Sequence, residues 1–298
     1  MRTFPLLLTL LAPLVAQAAE TPCEASDVAV EVVEGGILEA KTTRMGTNLQ
    51  LGLSGVECGP ALEAFRAVYA EFDRVEQLVL VDGDAPLAKL NAAAGGDPVP
   101  VPAELLQLVA TAVDFAEKTQ GAFDPTFAAM SELWRFDGSE QVPSDAAIDA
   151  ARARVDFKKL RIDREKKTLQ LTEAGMRVEL GGIAKGYAVD RAVALLRKHG
   201  VERFVLRSGG ELFVSGDPGG GHRRVGVPDP RGEGAPFALV DVRDRAINIS
   251  TDGQRFFLKD GVRYHDKIDP ETGRPATRSR AVAVVSARSA TFSTRHSS

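Results

Sequence analysis

Apolar residues recur at spacings of three and four along Leu62, Phe65, Tyr69, Phe72, Val75 and Val79, which predicts an amphipathic helix with these side chains on its buried face. A second helix is predicted after Pro102, a residue suited to a first helical turn, with Leu105, Leu108, Ala112 and Phe115 on one side and Gly121 as a left-handed cap. Phe127, Met130, Leu133 and Trp134 mark a further short helix, and Trp134 reads as core. Ser144 and Asp145 can cap another, carrying Ile148 and Val155. The period then changes. Leu160 to Ile162 and Leu169 to Leu171 alternate across a charged turn at Arg164 to Lys167, as a hairpin does, and Ala40 to Leu53 reads as an earlier hairpin. A last helix carries Ala184, Tyr187, Ala188, Ala192, Leu195 and Leu196 on one face and ends at Gly200.

Short β-like runs follow at 204–206, 212–214, 225–227, 239–242, 246–249 and 281–285, so the class is α+β, with helices early and strands late. Gly/Pro-rich loops are expected at Pro218 to His222 and Pro228 to Pro236. No repeat, low-complexity tract or linker interrupts the pattern, which leaves one large domain over residues 20–298.

The first 19 residues stand apart. Arg2, the apolar run Phe4 to Val15 and Ala16-Gln17-Ala18 form the three parts of a secretory leader, with cleavage expected near Ala18 or Ala19. That run is too short to span about 30 Å of hydrocarbon, and no later stretch reaches the roughly 20 apolar residues a membrane helix needs. The expected product is exported, to the periplasm. In an oxidising compartment the two cysteines, Cys23 and Cys58, either close one disulfide or remain inert thiols.

Composition narrows the chemistry. A formal charge of −4 without a long basic run argues against nucleic acid as a partner. With four histidines and no His/Cys cluster at zinc spacing, any metal is expected on oxygen ligands, which points to magnesium or calcium. The most informative stretch is Glu179 to Asp190, ELGGIAKGYAVD, where two glycines and Lys185 open a helix. Bare backbone, a helix N-terminus and an ammonium group together favour an anion such as a phosphate. The spacing is neither that of a Walker loop nor that of a Rossmann turn, and a tight structural turn explains the glycines equally well.

This stretch resembles the corresponding segment of the FAD:protein FMN transferases, the ApbE family. Four others match in the same order: Met45-Gly46-Thr47; Gly121 to Thr126 with Leu133 to Phe136; Ser208 to Glu211 with Gly216; and Ile268 to Pro275, IDPETGRP. The resemblance implies an α+β fold of mixed antiparallel sheets packed with helices, related to the T-fold. It also implies a magnesium-dependent transfer of FMN from FAD to a threonine or serine hydroxyl of an acceptor flavoprotein, releasing AMP, with the acceptor in a membrane electron-transfer complex. Met45, Ala122, Phe123, Asp124 and Ile268 match positions that line the FAD pocket, Lys185 is placed to neutralise pyrophosphate charge, and Gly182 matches a backbone carbonyl ligand of the metal.

Four segments depart from that pattern, the first being Val81 to Asn91, which lacks the aromatic residue that relatives carry before a Ser-x5-Asn pattern. Where relatives carry a histidine three residues before the aspartate of the DPxTG stretch, this chain has Asp266, with His265 one place earlier; either is a candidate base, on opposite faces of an extended segment. The turn at Ser250-Thr251-Asp252 has threonine in place of glycine. After 281–285 the family continues into a helix with an aspartate and a threonine four residues apart that bind magnesium; Ser293 and Ser297 fall at those places here. Neutral hydroxyls are poorer magnesium ligands than a carboxylate. The alternative implied is an exported FAD-binding protein that has lost the transfer step.

Overall fold

The computed structural model describes residues 23, 25–218, 223–232, 234–253 and 255–288. The leader, Ser293 and Ser297 lie outside the described residues. In chain order the elements begin with strands β1 (Val30–Val33), β2 (Ile37–Arg44) and β3 (Thr47–Ser54), then helices α1 (Cys58–Val79) and α2 (Pro86–Ala92) and strand β4 (Val99–Pro100). Helices α3 (Ala103–Lys118), α4 (Ala128–Ser131) and α5 (Asp145–Arg152) precede β5 (Leu160–Asp163), β6 (Thr168–Leu171) and α6 (Gly181–Lys198). The remainder is β7 (Arg203–Ser208), β8 (Glu211–Ser215), β9 (Arg223–Val227), β10 (Ala238–Val242), β11 (Arg245–Thr251), β12 (Phe256–Lys259), β13 (Val262–His265) and β14 (Ala281–Ser286).

The class is α+β, as the pattern predicts. A seven-stranded antiparallel sheet, ordered β1-β2-β3-β7-β8-β11-β14, carries α1 and α6 on one face. Of the predicted α1 stripe Phe65, Tyr69, Phe72 and Val75 are buried and Leu62 and Val79 half-buried, and with Val68, which the stripe left out, they pack against Leu51, Leu53, Phe204 and Leu206 of the sheet and Ala188, Ala192 and Leu196 of α6. Alternate residues of β8 serve opposite faces, so Phe213 joins this core while Leu212 and Val214 meet Val225 and Val242 of the β9–β10 pair beneath. That is why β8 is buried at every position and reads as a continuous apolar run.

A second core lies beside the first. The α3 stripe Leu105, Leu108, Val109 and Ala112 packs on α2, on the β4–β6–β5 sheet and on Leu180, Ile183 and Ala184 at the start of α6. Helix α3 stops at Lys118, earlier than Gly121, because Gln120 (φ 55°) already turns left-handed and Gly121 (φ 86°) follows. Ser144 caps α5 as expected, accepting from the Ala147 N–H at 3.3 Å. Cys23 and Cys58 form a disulfide, which fastens the start of the described chain to the first residue of α1.

Candidate active site

The candidate site is built from the start of α6 and three further segments. Gly181 and Gly182 occupy its first turn, where backbone N–H groups have no intrahelical partner, and Gly182 is exposed. Helical side chains lean toward the N-terminus. Lys185 accordingly folds back, its Nζ 3.4 Å from the Gly181 carbonyl, so the ammonium adds its charge to the positive end of the helix. Further along, Tyr187 donates to Glu104 at 2.5 Å and Arg191 to Glu71 at 2.8 Å, while Arg74 pairs with both carboxylates. Burial, and then the bond to Glu104, push the Tyr187 phenol up to about 12, so it stays a donor and holds α6 to α3, while Arg191 holds α6 to α1.

The β2–β3 turn is the second segment. Met45 (φ 51°) and Gly46 (φ 65°) both lie in the left-handed region, the two-residue turn that matches strand twist. Asparagine is the usual first residue there; methionine costs on the order of 1 kcal/mol in that conformation. Helix α1 holds the turn in place, with Glu76 accepting the Met45 N–H at 3.3 Å and Asp73 pairing with Arg44 at 2.6 Å. The Met45 side chain bridges the two main cores.

The third is the loop after α3. Phe123 packs on the second core, next to Ile183 and Ala184, and its N–H is held by Thr119 Oγ1 at 3.1 Å. Asp124 turns inward: one oxygen accepts from the Thr126 N–H and hydroxyl at 2.7 and 2.6 Å, the other from the Phe157 N–H at 2.9 Å. Burial raises its carboxyl above the ordinary aspartate value, against those three bonds. Asp124 thus braces the loop that presents Ala122 and Phe123. The Glu179 N–H donates to the Pro125 carbonyl at 2.9 Å and Ser131 to the Glu179 carboxylate at 3.1 Å, which joins this loop to the start of α6. Asn91 clasps both polar groups of Val178, at 2.7 and 3.0 Å, from the other side.

The fourth is Ile268 to Pro275. Asp269 Oδ1 accepts from the Glu271 N–H at 2.8 Å, Gly273 N–H donates to the Asp269 carbonyl at 2.8 Å, and Thr272 Oγ1 accepts from Arg274 N–H at 3.3 Å. The polar side chains of this turn shape it from within. Trp134 is core, as read, and its indole N–H donates to the Gly273 carbonyl at 2.9 Å. Its ring begins a ladder through Tyr264 and Phe257 to Phe136, with centroids 5.2–5.8 Å apart, that fixes the β12–β13 hairpin and the Ile268 turn on α4 and α5.

His265 and Asp266 have different surroundings. His265 is buried; its Nε2 meets the Ala276 carbonyl at 2.9 Å and its Nδ1 accepts from the Lys267 N–H at 3.2 Å, so both ring nitrogens are occupied by backbone. Asp266 keeps 20% of its side chain exposed and pairs with Lys267 Nζ at 2.8 Å. Sequence reading passed over Asp252 as chemistry: it is buried, Arg280 holds one oxygen at 3.0 Å, and Oδ1 has no partner among the described residues. Its signal was only an altered turn.

For a metal, Gly182 supplies a carbonyl, but among the described residues no group of three His, Cys, Asp or Glu could hold an ion. Magnesium takes only one or two carboxylates beside phosphate oxygens, so the Gly182 carbonyl is the donor this segment would bring, and no step below is routed through the ion. A cavity of about 630 Å³ lies at the opposite end of α6, lined by Arg197, Arg203, Arg243 and Asp244, and none of the expected site residues reaches it.

Comparison with known proteins places these segments. The ApbE family matches residues 45–294. An FAD:protein FMN transferase of Treponema pallidum is 39% identical over 238 residues, 73% of this chain and 66% of that protein. One of Escherichia coli K12 is 30% identical over 264 residues, 86% and 74% of the two chains. The crystal structure of the ApbE protein of Thermotoga maritima superposes with a TM-score of 0.78 at 30% identity, covering 87% of this chain and 84% of that one. The flavin transferase ApbE of Vibrio cholerae gives 0.75 at 25% identity, covering 89% and 85%. Since the match runs from the Met45 turn to beyond β14 and takes in all four segments, the chain belongs to the ApbE family.

Proposed function

We propose that this protein moves FMN from FAD to a threonine or serine hydroxyl of an acceptor flavoprotein and releases AMP. The observation that carries the reading is the bracing of the start of α6 by the loop at Pro125, which α4 ties to the Gly273 turn. Bare helix N–H groups and Lys185 then face one anionic group, with Met45 and Phe123 as apolar walls. In the reaction the acceptor oxygen bonds to the FMN phosphorus, the bond to the AMP phosphate oxygen breaks, and the hydroxyl proton passes to a base. Positive charge at the pyrophosphate stabilises both the attacked phosphate and the leaving one. Asp266, partly exposed and with a side chain unencumbered by backbone, is assigned as base, and His265 is assigned to holding the backbone of Lys267 and Ala276.

Magnesium would add charge neutralisation at the pyrophosphate, with the Gly182 carbonyl as this chain's contribution and Ser293 and Ser297 as the further oxygens the resemblance suggests. The Cys23–Cys58 disulfide supports export to the periplasm, where the acceptor would be the outward-facing part of a membrane electron-transfer flavoprotein. No helix among the described residues is long and apolar enough to cross a membrane. A second reading, FAD binding without transfer, draws on serines at the positions where the family has its metal-binding aspartate and threonine, and on Asp266 in place of histidine. Incubating the mature protein with FAD, magnesium and an apo acceptor domain, then weighing the acceptor, separates the two: an added FMN mass supports transfer, and bound FAD with neither adduct nor AMP supports binding alone.

Two substitutions test the pocket. Lys185→Ala is expected to weaken FAD binding about ten-fold or more, the worth of a charge-assisted contact, at unchanged melting temperature. An unaltered titration by flavin fluorescence would remove Lys185 from the phosphate site. Met45→Asn relieves left-handed strain of about 1 kcal/mol while losing some packing, so stability should hold as FAD affinity falls. A parallel fall in both would make Met45 a packing residue.

A further inference from the structure

We infer that Asp252 is a positioning residue for the transfer: it takes over the Lys267 ammonium when Asp266 accepts the proton of the acceptor hydroxyl. This rests on the transfer reading and on Asp266 as base. The antiparallel register of β11 and β14 sets Thr251 against Ala281, so Asp252, one residue beyond β11, meets Arg280, one residue before β14. The Asp252 N–H donates to the Arg280 carbonyl at 2.9 Å, Arg280 Nε to Asp252 Oδ2 at 3.0 Å, and the Arg263 guanidinium to the Asp252 carbonyl at 3.4 Å. That leaves Oδ1, buried and without a hydrogen-bond partner among the described residues.

A buried carboxylate oxygen that makes no bond is costly, and it calls for a donor that arrives at some stage of the protein's work. Asp252 lines a cavity of about 20 Å³, room for one water, together with Ser250, His265, Lys267, Ser279 and Arg280. Arg280 already serves Oδ2, and backbone occupies both ring nitrogens of His265. Ser250 is engaged with Asn248, and Ser279 is exposed. Lys267 is the charged donor with bonds to spare: its ammonium has three N–H groups, and the bond to Asp266 takes one.

Before the reaction Lys267 Nζ pairs with Asp266 at 2.8 Å. Once Asp266 has taken the hydroxyl proton it is neutral, and the ammonium, on a side chain only 33% exposed, loses its counter-ion. The flexible four-carbon stem of lysine lets the ammonium turn to Asp252 Oδ1, which keeps that charge paired. No further proton moves: the hydroxyl proton rests on Asp266, Lys267 stays an ammonium and Asp252 a carboxylate. Without Asp252, each proton taken up by Asp266 would strand the charge of Lys267, and that cost would fall on the transfer step.

The test uses the full mature protein, FAD, magnesium and an apo flavoprotein domain whose threonine the wild type flavinylates. Asp252→Asn is expected to lower kcat for transfer about ten-fold, with KM for FAD and for the domain within about two-fold of wild type. Lys267→Met removes the charge to be stranded, so adding it to Asp252→Asn should return kcat to within about three-fold of Lys267→Met alone. Deleting a lysine would not repair lost packing or a lost Arg280 pair. An equal loss with and without Lys267 overturns the proposal, as does an unchanged kcat, which would leave Oδ1 with a water alone. Should Asp252→Asn fail to fold, Arg280→Gln carries the test by freeing the second Asp252 oxygen: kcat should rise about two-fold or more, but not in the Lys267→Met background. Any other pattern then overturns it. If the wild type flavinylates no acceptor, the transfer reading itself falls, and this role of Asp252 with it.

Discussion

Gly273→Val is expected to lower the melting temperature by roughly 5–15 °C, from a loss of about 2–5 kcal/mol. Gly273 sits at φ 67°, and a Cβ there would stand 2.4 Å from Met130 Cε and 2.5 Å from Ile148 Cγ2. The methionine tip can move, but it is fully buried and has little space to move into. Ile148 cannot turn, because a β-branched side chain in a helix has one favoured rotamer. The strain would pass along the Gly273 carbonyl to Trp134 and from there through the aromatic ladder to the hairpin that ends at Asp266. Gly200→Ala is the control: it has the same sign of φ, at 74°, but nothing within 4 Å of the added carbon, so it should cost only the backbone strain, about 1 kcal/mol. Thermal unfolding of the two variants checks this. Equal shifts would show that the turn, and not its packing on α4 and α5, demands glycine.

Helical periodicity made α1, α3 and α6 legible because each buries one stripe against a sheet, and the stripe repeats in the sequence. The β12–β13 hairpin went unread although Asp260-Gly261, with φ of 51° and 76°, is the dipeptide that a two-residue hairpin turn prefers. Its outer face is as apolar as its inner one, so Phe256-Phe257-Leu258 shows no alternation. Helix α2 was missed for want of length. At the site, local chemistry alone left Lys185 and the glycines of α6 open between an anion site and a tight structural turn. What Asp124 does was not legible: whether a carboxylate faces a ligand or its own loop depends on Phe157, 33 residues away, which only the fold brings near. The same holds for His265, whose partners are the backbone of Lys267 and Ala276.

That difference yields the second large effect. Asp266→Asn is expected to slow transfer to the acceptor by about a hundred-fold to ten-thousand-fold, the range for losing a positioned general base. FAD affinity and melting temperature should change little, since the side chain is partly exposed and gives up one ion pair with Lys267. Asp266→His should recover part of the rate, because it puts a proton acceptor back at the position where relatives carry histidine. His265→Ala should behave in the opposite way. It leaves the Ala276 carbonyl and the Lys267 N–H without their partner in a half-buried place, at about 1 kcal/mol for each group, so the protein loses stability first and transfer follows the folded fraction. Single-turnover transfer rates, each normalised to the fraction that still binds FAD, separate the two residues. A fully folded His265→Ala with no transfer, alongside an active Asp266→Asn, would move the base to His265 and require that its ring leave the Ala276 carbonyl when the acceptor docks.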